Sequence, residues 1–275
     1  MKTQTQTNKA RTKKQRIGAR IAVAASAAAV AATVWGVATL VDSGHGAPRQ
    51  NVSRQREAEG SGGNQAPEQA PRIPQGIAHA SESGGNAVNI TIDDGPDPRW
   101  TPQVLDVLAK YDAKATFCMI GPQAKAHPDL VKKVVAAGHR LCDHTMDHDT
   151  SMDKKPVAYQ EQQILDAKRL IEEAAGGGAK VEYYRAPGGA FTPDSRRIAA
   201  ANGMRPLGWN VDTKDFGKPG VAAIVAAVKN EIGNGPTVLF HDGGGNRSQT
   251  VEALDQVLAW LKEQGRLTGF PVRTS

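Results

Sequence analysis

Seven side chains stand out by type and spacing in the 275-residue chain: Asp93 and Asp94 side by side, His144 and His148 four apart, and Arg185, Asp215 and His241 further on. If the chain is helical from Asp143 onward, His144 and His148 share a face with Cβ atoms about 6 Å apart, a spacing that suits two imidazoles on one cation. One carboxylate of Asp93-Asp94 then completes a His, His, Asp set, three protein ligands with positions open for water and substrate. That layout belongs to a catalytic rather than a structural metal site. Zinc in such a set brings the pKa of its water to about 7 and polarises a carbonyl oxygen, so hydrolysis at neutral pH becomes feasible. The other carboxylate is free to act as base. On the far side of a reacting carbonyl the leaving group needs a proton, and His241 can supply it, its charged form favoured by a carboxylate such as Asp215.

Residues so distant in sequence meet only if the fold brings them to one surface. After residue 86 short apolar runs alternate with amphipathic stretches. Strands are predicted at Ala87 to Ile92, Ala115 to Ile120, Arg140 to Cys142, Val181 to Tyr184, Pro206 to Val211 and Thr237 to Phe240. Helices are predicted after Thr101-Pro102, over Leu130 to Ala137, Val157 to Ala174, Asp194 to Ala201 and Val221 to Ile232, and along the stripe Val251, Leu254, Leu258, Leu261. Repeated βα units imply an α/β fold with a parallel sheet, and their number favours a barrel over an open sheet. Asp93-Asp94 follow the first predicted strand, His144 and His148 the third, Arg185 the fourth, Asp212 and Asp215 the fifth, and His241 the sixth. Parallel strands end on one face, so these five segments converge there. Each motif alone reads as a turn or a surface group. Their joint placement is hard to obtain by accident.

The rest of the chain reads as delivery apparatus. Residues 1–41 hold seven Lys or Arg and no acid, so the net charge of +6 belongs to the tail and residues 42–275 carry −1. No basic stripe remains on the folded part, which excludes a nucleic-acid partner. Residues 21–41 form a run without a charge, long enough as a helix to span roughly 30 Å, and with the basic leader before it this reads as a secretory signal or an uncleaved anchor. Gly44-His45-Gly46 is the nearest small-x-small cleavage candidate, so release and anchoring in the membrane both stay open, with the folded part outside the cytoplasm either way. Residues 42–84 are rich in Gly, Pro, Gln, Ser and Glu and read as a disordered linker in which His45 and His79 are solvated. Residues 85–275 remain as the catalytic domain, expected to be monomeric. His127 and His139 read as helix-boundary residues. Cys118 and Cys142 fall on neighbouring predicted strands, where a disulfide and a pair of buried thiols are equally compatible. No G-x-S-x-G, P-loop or dinucleotide fingerprint occurs, and Gly243-Gly244-Gly245 reads as a mobile rim loop.

Five segments carry a family resemblance: Thr91-Ile92-Asp93-Asp94-Gly95-Pro96, His144-Thr145-Met146-Asp147-His148, Arg185-Ala186-Pro187-Gly188-Gly189, Asp212-Thr213-Lys214-Asp215-Phe216 and Leu239-Phe240-His241. In order and spacing they resemble the motifs of the polysaccharide deacetylases, the NodB-homology or family-four carbohydrate esterases, over about residues 85 to 265. The resemblance implies a distorted (β/α)7-8 barrel and removal of acetyl groups from N-acetylglucosamine polymers such as peptidoglycan or chitin, with acetylxylan as the alternative substrate. It implies a divalent metal, zinc first, with cobalt, nickel, manganese and iron also compatible with the ligand set. Position by position, it makes Asp93 the general base, Asp94, His144 and His148 the metal ligands, Arg185 the group that orients Asp93, and Asp215 the group that holds His241, the general acid. The backbone N–H of Gly188 would face the oxyanion, and Leu239 and Phe216 would wall a pocket for the acetyl methyl. A tethered glycan-binding module without catalysis is the rival from another class, weakened by the presence of every ligand and proton-transfer residue.

The sequence also departs from the family pattern. Gly188 stands where Tyr is usual and Phe216 where Trp is usual, which puts substrate choice in doubt more than activity. Cys142-Asp143 replaces the usual Gly-Asn before the first histidine. Asp143 either adds negative charge beside the metal or caps the helix carrying both histidines, and the cap is favoured.

Overall fold

The computed structural model describes residues 72–274. The basic leader, the apolar segment 21–41 and the linker up to residue 71 lie outside the described residues. Among the described residues no helix is long and apolar enough to cross a membrane.

Fourteen strands and α-helices follow one another, with short 3-10 turns between some of them: β1 Asn89–Asp93, α1 Thr101–Lys110, β2 Ala115–Met119, α2 Gly121–Ala126, α3 Pro128–Ala136, β3 Arg140–Asp143, α4 Val157–Ala175, β4 Val181–Tyr184, α5 Pro193–Ala201, β5 Arg205–Pro206, β6 Val211–Asp212, α6 Val221–Glu231, β7 Thr237–His241 and α7 Ser248–Glu263. All strand pairs are parallel, in the order β5-β4-β3-β2-β1-β7-β6. The predicted alternation is thus present, with α2 as an unforeseen helix and one strand divided. The expected strand Pro206 to Val211 is two pieces on opposite edges of the sheet, β5 beside β4 and β6 beside β7. Only residues 207–210 join them. Five Cα steps reach at most about 18 Å, whereas six strand spacings in a flat sheet would need about 29 Å. The sheet is therefore curled toward closure, a distorted barrel of seven strands.

Residues 77–82, assigned to the linker by composition, pair onto the segment that joins β5 to β6 and onto its neighbours. Ala78 is buried and bridges Leu207, donating its N–H to the Pro206 carbonyl at 2.8 Å and accepting from the Gly208 N–H at 2.9 Å. The Thr237 hydroxyl donates to the His79 carbonyl at 2.6 Å, and Ser81 bridges Pro271. Local composition carries no signal for such pairing, because the partners lie more than a hundred residues downstream.

Period-two alternation sorts each strand into two faces. In β1, Ile90 and Ile92 join Phe117 of β2 and Val238 and Phe240 of β7 in the outer core, beneath Val104, Leu108, Ile164, Ile171, Leu254 and Leu258 of the helices. Asn89, Thr91 and Asp93 are left for the inner face, buried but polar. A separate inner cluster comprises Cys118, Cys142, Tyr183 and Leu207. Cys118 and Cys142 are register partners on β2 and β3 and are joined by a disulfide, which decides between the two alternatives left open by the sequence. His139 is buried against Phe117 and accepts from the Ala115 N–H at 3.3 Å. Burial holds its imidazole at about 4, neutral, as fits a packed boundary residue.

Candidate active site

The C-terminal ends of the strands carry the polar groups. Asp93 ends β1 and His241 ends β7, and the two are register partners in adjacent strands. Ladder bonds run on past the strand ends and fix the segments beyond: Asp94 N–H to Cys118 O, His144 N–H to Met119 O, Arg185 N–H to Asp143 O and Asp242 N–H to Asp93 O, all within 3.1 Å.

Arg185 is wholly buried on the inner face. Its Nη1 donates to Asp93 Oδ1 at 2.7 Å and to Thr91 Oγ1 at 2.9 Å, Nη2 to Gly208 O at 2.8 Å, and Nε to Leu207 O at 3.2 Å. A planar fork with every nitrogen engaged leaves Asp93 one orientation. Its second oxygen, Oδ2, lies 3.5 Å from His144 Nε2.

His144 and His148 do not sit on a helix. Thr145 and His148 have left-handed backbone, φ 68° and 51°, and the segment is an irregular loop. Asp143 caps a turn in place of the expected helix: its Oδ1 accepts the Thr145 N–H at 2.7 Å. Complete burial pushes the Asp143 carboxyl well above the ordinary carboxylate range. Gln163 of α4 holds the loop from behind, its Oε1 accepting the Met146 and Asp147 N–H groups at 3.1 and 2.9 Å and its Nε2 donating to Asp147 Oδ2 at 2.7 Å. The two imidazoles still meet, with ring centroids 5.0 Å apart.

His144 Nδ1 lies 2.8 Å from the Arg185 carbonyl. A carbonyl only accepts, so Nδ1 carries the hydrogen and Nε2 presents a lone pair. Burial depresses the pKa of His144, which favours this neutral form. Its Nε2 is 3.6 Å from Asp94 Oδ1, and His148 Nε2 is 3.2 Å from the same oxygen. One donor atom from each of Asp94, His144 and His148 lies within 4.8 Å of the others. Asp94 Oδ1 is buried without a hydrogen bond. Burial alone would raise the Asp94 pKa; the contact with His148, joined by the nearby His241, outweighs it and holds the carboxyl well below its ordinary value. An ionised carboxylate oxygen facing the lone pair of a neutral imidazole, with a second imidazole alongside, fits a divalent cation.

Across the mouth, Asp215 stands in the 3-10 turn after β6. Its Oδ1 lies 2.7 Å from His241 Nδ1, while its Oδ2 accepts the His241 N–H at 2.9 Å and the Thr250 hydroxyl at 2.7 Å. Burial would lower the His241 pKa, but Asp215, joined by Asp93 and Asp94, more than offsets it and the net shift is upward. The Asp215 carboxyl shifts the other way: burial raises it, and the bond to His241 brings it below normal.

All ten site residues named from the sequence thus come to one end of the barrel. Nine of them either border a cleft of about 390 Å³ or, in the case of Arg185, support its floor; Asp215 lies just behind His241. Residues 80–207 match the profile of the polysaccharide deacetylase family. A peptidoglycan-N-acetylglucosamine deacetylase of Bacillus cereus is 42% identical over 183 residues, 65% of this chain and 83% of the relative. A chitooligosaccharide deacetylase of Sinorhizobium fredii is 38% identical over 197 residues, 67% of this chain and 90% of the relative. The chain belongs to the polysaccharide deacetylase family. A solved family 4 carbohydrate esterase from Streptomyces lividans, in complex with acetate, superposes with a TM-score of 0.62 at 28% identity over 70% of this chain and 97% of that one.

In this polysaccharide deacetylase the cleft walls contain groups that the sequence did not single out. Trp209 and Thr150 line the cleft, and the Arg185 guanidinium lies 5.6 Å from the Trp209 ring. Gly188, at φ 59°, abuts Thr150, so a small β-branched side chain stands beside it in this part of the wall. Phe216 is half exposed and meets the His241 ring edge-on at 5.5 Å, while Leu239 is buried. The Gly243-Gly244-Gly245 loop is tied down by Arg247, which is buried and donates to the Gly243 and Gly244 carbonyls. Any Cβ at Gly243 would overlap the Asp94 backbone, so the glycine lets this loop lie directly on the ligand segment.

Proposed function

We propose that the chain is a metal-dependent hydrolase that removes N-acetyl groups from N-acetylglucosamine-containing polysaccharide, peptidoglycan or chitin-type, outside the cytoplasm. The carrying observation is the convergence of the Asp94, His144 and His148 donor atoms within 4.8 Å, flanked by a base candidate on β1 and an acid candidate on β7.

Asp94, His144 and His148 would hold the cation, and the chemistry it would supply there is acidification of water and polarisation of the acetyl carbonyl. Asp93, fixed by Arg185 at 2.7 Å, takes the proton from the attacking water. His241, whose charged form Asp215 favours, gives its proton to the amide nitrogen as the C–N bond breaks, so acetate and a free amine leave. Gly188, on the cleft wall, gives its backbone N–H to the developing oxyanion in this reading, and Leu239 and Phe216 on the same wall enclose the methyl. The relatives' amide substrates support this choice over an acetyl ester. The Cys118–Cys142 disulfide supports an oxidising compartment, as does the apolar segment at residues 21–41.

The test is acetate release from N-acetylglucosamine oligomers, glycan strands and acetylxylan side by side, with zinc and cobalt supplied in turn. Asp93→Asn is expected to lower turnover by roughly 10²–10⁴-fold with metal content unchanged. A demetallated sample that still deacetylates at full rate overturns the mechanism.

A further inference from the structure

Arg247 is a buried guanidinium that, among the described residues, forms no ion pair and donates only to main-chain carbonyls. Its Nε reaches Gly243 O, Nη2 reaches Gly244 O at 3.2 Å and Nη1 reaches Asp215 O at 3.4 Å. A buried charge is costly to desolvate, and bonds to neutral carbonyls offset only part of that cost. What the three carbonyls share is their place beside groups of the active site. Arg247 itself does not border the cleft.

Gly243 and Gly244 lie against Asp94. A Cβ on Gly243 would overlap the Asp94 backbone and Cβ, and a Cβ on Gly244 would stand 3.4 Å from Asp94 Oδ2 and 3.0 Å from Arg247 Nη2. The Asp94 carboxylate and the Arg247 guanidinium therefore flank the same glycine. Asp94 has left-handed backbone, φ 76°, and its Oδ1, the oxygen that faces both imidazoles, is without a hydrogen bond. Its placement rests on its backbone, held by the bond to Cys118 O and by the glycine loop it touches. Three consecutive glycines, with Gly244 and Gly245 at φ +75° and +127°, are the most mobile backbone a chain can offer, and such a loop holds a neighbour only if it is itself held. Arg247 holds it from a firm base. It immediately precedes α7, whose first turn also carries Thr250, bonded to Asp215 Oδ2 at 2.7 Å.

We propose that Arg247 is a positioning residue for the cation site: by clamping the Gly243 and Gly244 carbonyls it fixes the loop against which Asp94 is placed, and through Asp215 O it ties that loop to the turn that holds His241. The proposal rests on the reading of Asp94 as a metal ligand. It makes zinc affinity depend on a side chain that touches neither the cation nor the substrate.

The test uses the full-length protein. Arg247→Met keeps an apolar stem and removes the fork; its zinc affinity in a chelator competition should fall about tenfold, and the visible absorption of the cobalt-loaded protein should change. A purely structural role would lower the urea stability of the metal-free protein and leave both metal readouts of the folded protein unmoved. Arg247→Lys retains the charge at a single point and cannot span three carbonyls, so it should bind zinc like the Met variant. Gly243→Ala disturbs the same contact from the other side, driving a methyl into Asp94 with Arg247 intact, and should lose zinc affinity to a similar degree. Wild-type zinc affinity in folded Arg247→Met, full rescue by Arg247→Lys, or wild-type affinity in Gly243→Ala would each overturn the proposal. Should Arg247→Met not fold, Arg247→Lys and Gly243→Ala decide. Acetate release is read separately. A wild type that binds zinc but releases no acetate sinks the deacetylase reading and leaves the clamp to be judged by the affinities; a wild type that binds no zinc sinks both.

Discussion

Asp215→Asn tests the acid half of the site with an almost unchanged shape. In the wild type Oδ1 of Asp215 faces His241 Nδ1 at 2.7 Å and the Thr213 hydroxyl at 3.1 Å, while Oδ2 receives the His241 N–H and the Thr250 hydroxyl. An asparagine has one accepting oxygen. If it faces Nδ1, the amide NH2 meets the backbone N–H of His241; the Thr250 hydroxyl can turn to accept, but the two N–H groups cannot pair. The variant should therefore lose about 1–3 kcal/mol of stability for one buried donor left without a partner. The second effect is on charge. A charge-assisted hydrogen bond contributes about 1.5–3 kcal/mol, so its loss shifts the ratio of imidazolium to imidazole by about one to two powers of ten. The sign follows from what Asp215 favours. It stabilises the charged His241, whose pKa is raised in the fold, so without it the proton departs at lower pH. The alkaline limb of the rate profile of acetate release should move toward acid, with turnover lowered across the range. Urea unfolding at fixed pH measures the first effect and pH–rate profiles measure the second. An unmoved alkaline limb with full turnover would refute the assignment of His241 as the acid held by Asp215.

The remaining expectations bear on other parts of the site. Arg185→Met should destabilise the domain by about 3–5 kcal/mol in urea titration, because Asp93 would remain as an uncompensated buried carboxylate. Replacing Cys118 and Cys142 together by Ala should cost about 3 kcal/mol, read as the shift of the denaturation midpoint, since the bond closes a loop of sequence separation 24. His148→Ala should weaken zinc binding by at least about tenfold in a chelator competition, with acetate release falling in parallel at limiting zinc. Asp242 is buried, bonded on one oxygen to the Thr101 hydroxyl and lifted to about 7 by that burial, against 3.8 for the free group. The unfolded chain ionises first, so this group's contribution to stability declines as pH rises from about 4 to about 7. In chelated protein, Asp242→Asn should remove that decline from urea-derived stabilities.

Much of the site was legible because its chemistry lies at strand ends. The strands Ala115–Met119 and Val181–Tyr184 and the helix Val157–Ala175 follow from apolar periodicity, and Asp93, His144, Arg185, Asp215 and His241 lie at the ends of such runs or within three residues beyond them. What escaped depends on pairing over long distances or on backbone that only tertiary contacts can hold. The histidine loop carries left-handed Thr145 and His148, stabilised by Asp143 and by Gln163 from a later helix, and nothing local distinguishes it from the first turn of a helix. The division of Pro206 to Val211 between two edges is set by the partners β4 and β7, not by its own residues. Trp209 reads as an ordinary strand aromatic until the division places it at the gap. The disulfide needed the register Cys118 to Cys142, which no periodicity supplies.

The inner face of the barrel shows how catalytic order and stability are reconciled. Asn89, Thr91, Asp93, Arg185, Thr213, Asp215 and Thr237 are all buried, so much of the space inside the sheet contributes hydrogen bonds where other proteins place hydrocarbon. Such bonds add little net stability each, while leaving any one of them unpaired is costly, which makes the interior unforgiving of displacement. Two devices outside the polar set hold it in place. The outer core clamps each strand from its other face through residues such as Ile90, Ile92, Phe117 and Phe240. The disulfide lies in the same register row as Asp93, with Cys118 beside Asp93 and Cys142 beside Cys118. It therefore ties β2, which abuts the carboxylate strand, to β3, the strand that leads into His144 and His148. The covalent tie sits within two residues of His144 along the chain and beside Asp93, which precedes Asp94, where strand slippage would do most harm. Preorganisation of the ligands is in this sense a property of the sheet, and a chain with the same motifs but a slack β2–β3 junction would keep the chemistry's residues and lose their geometry.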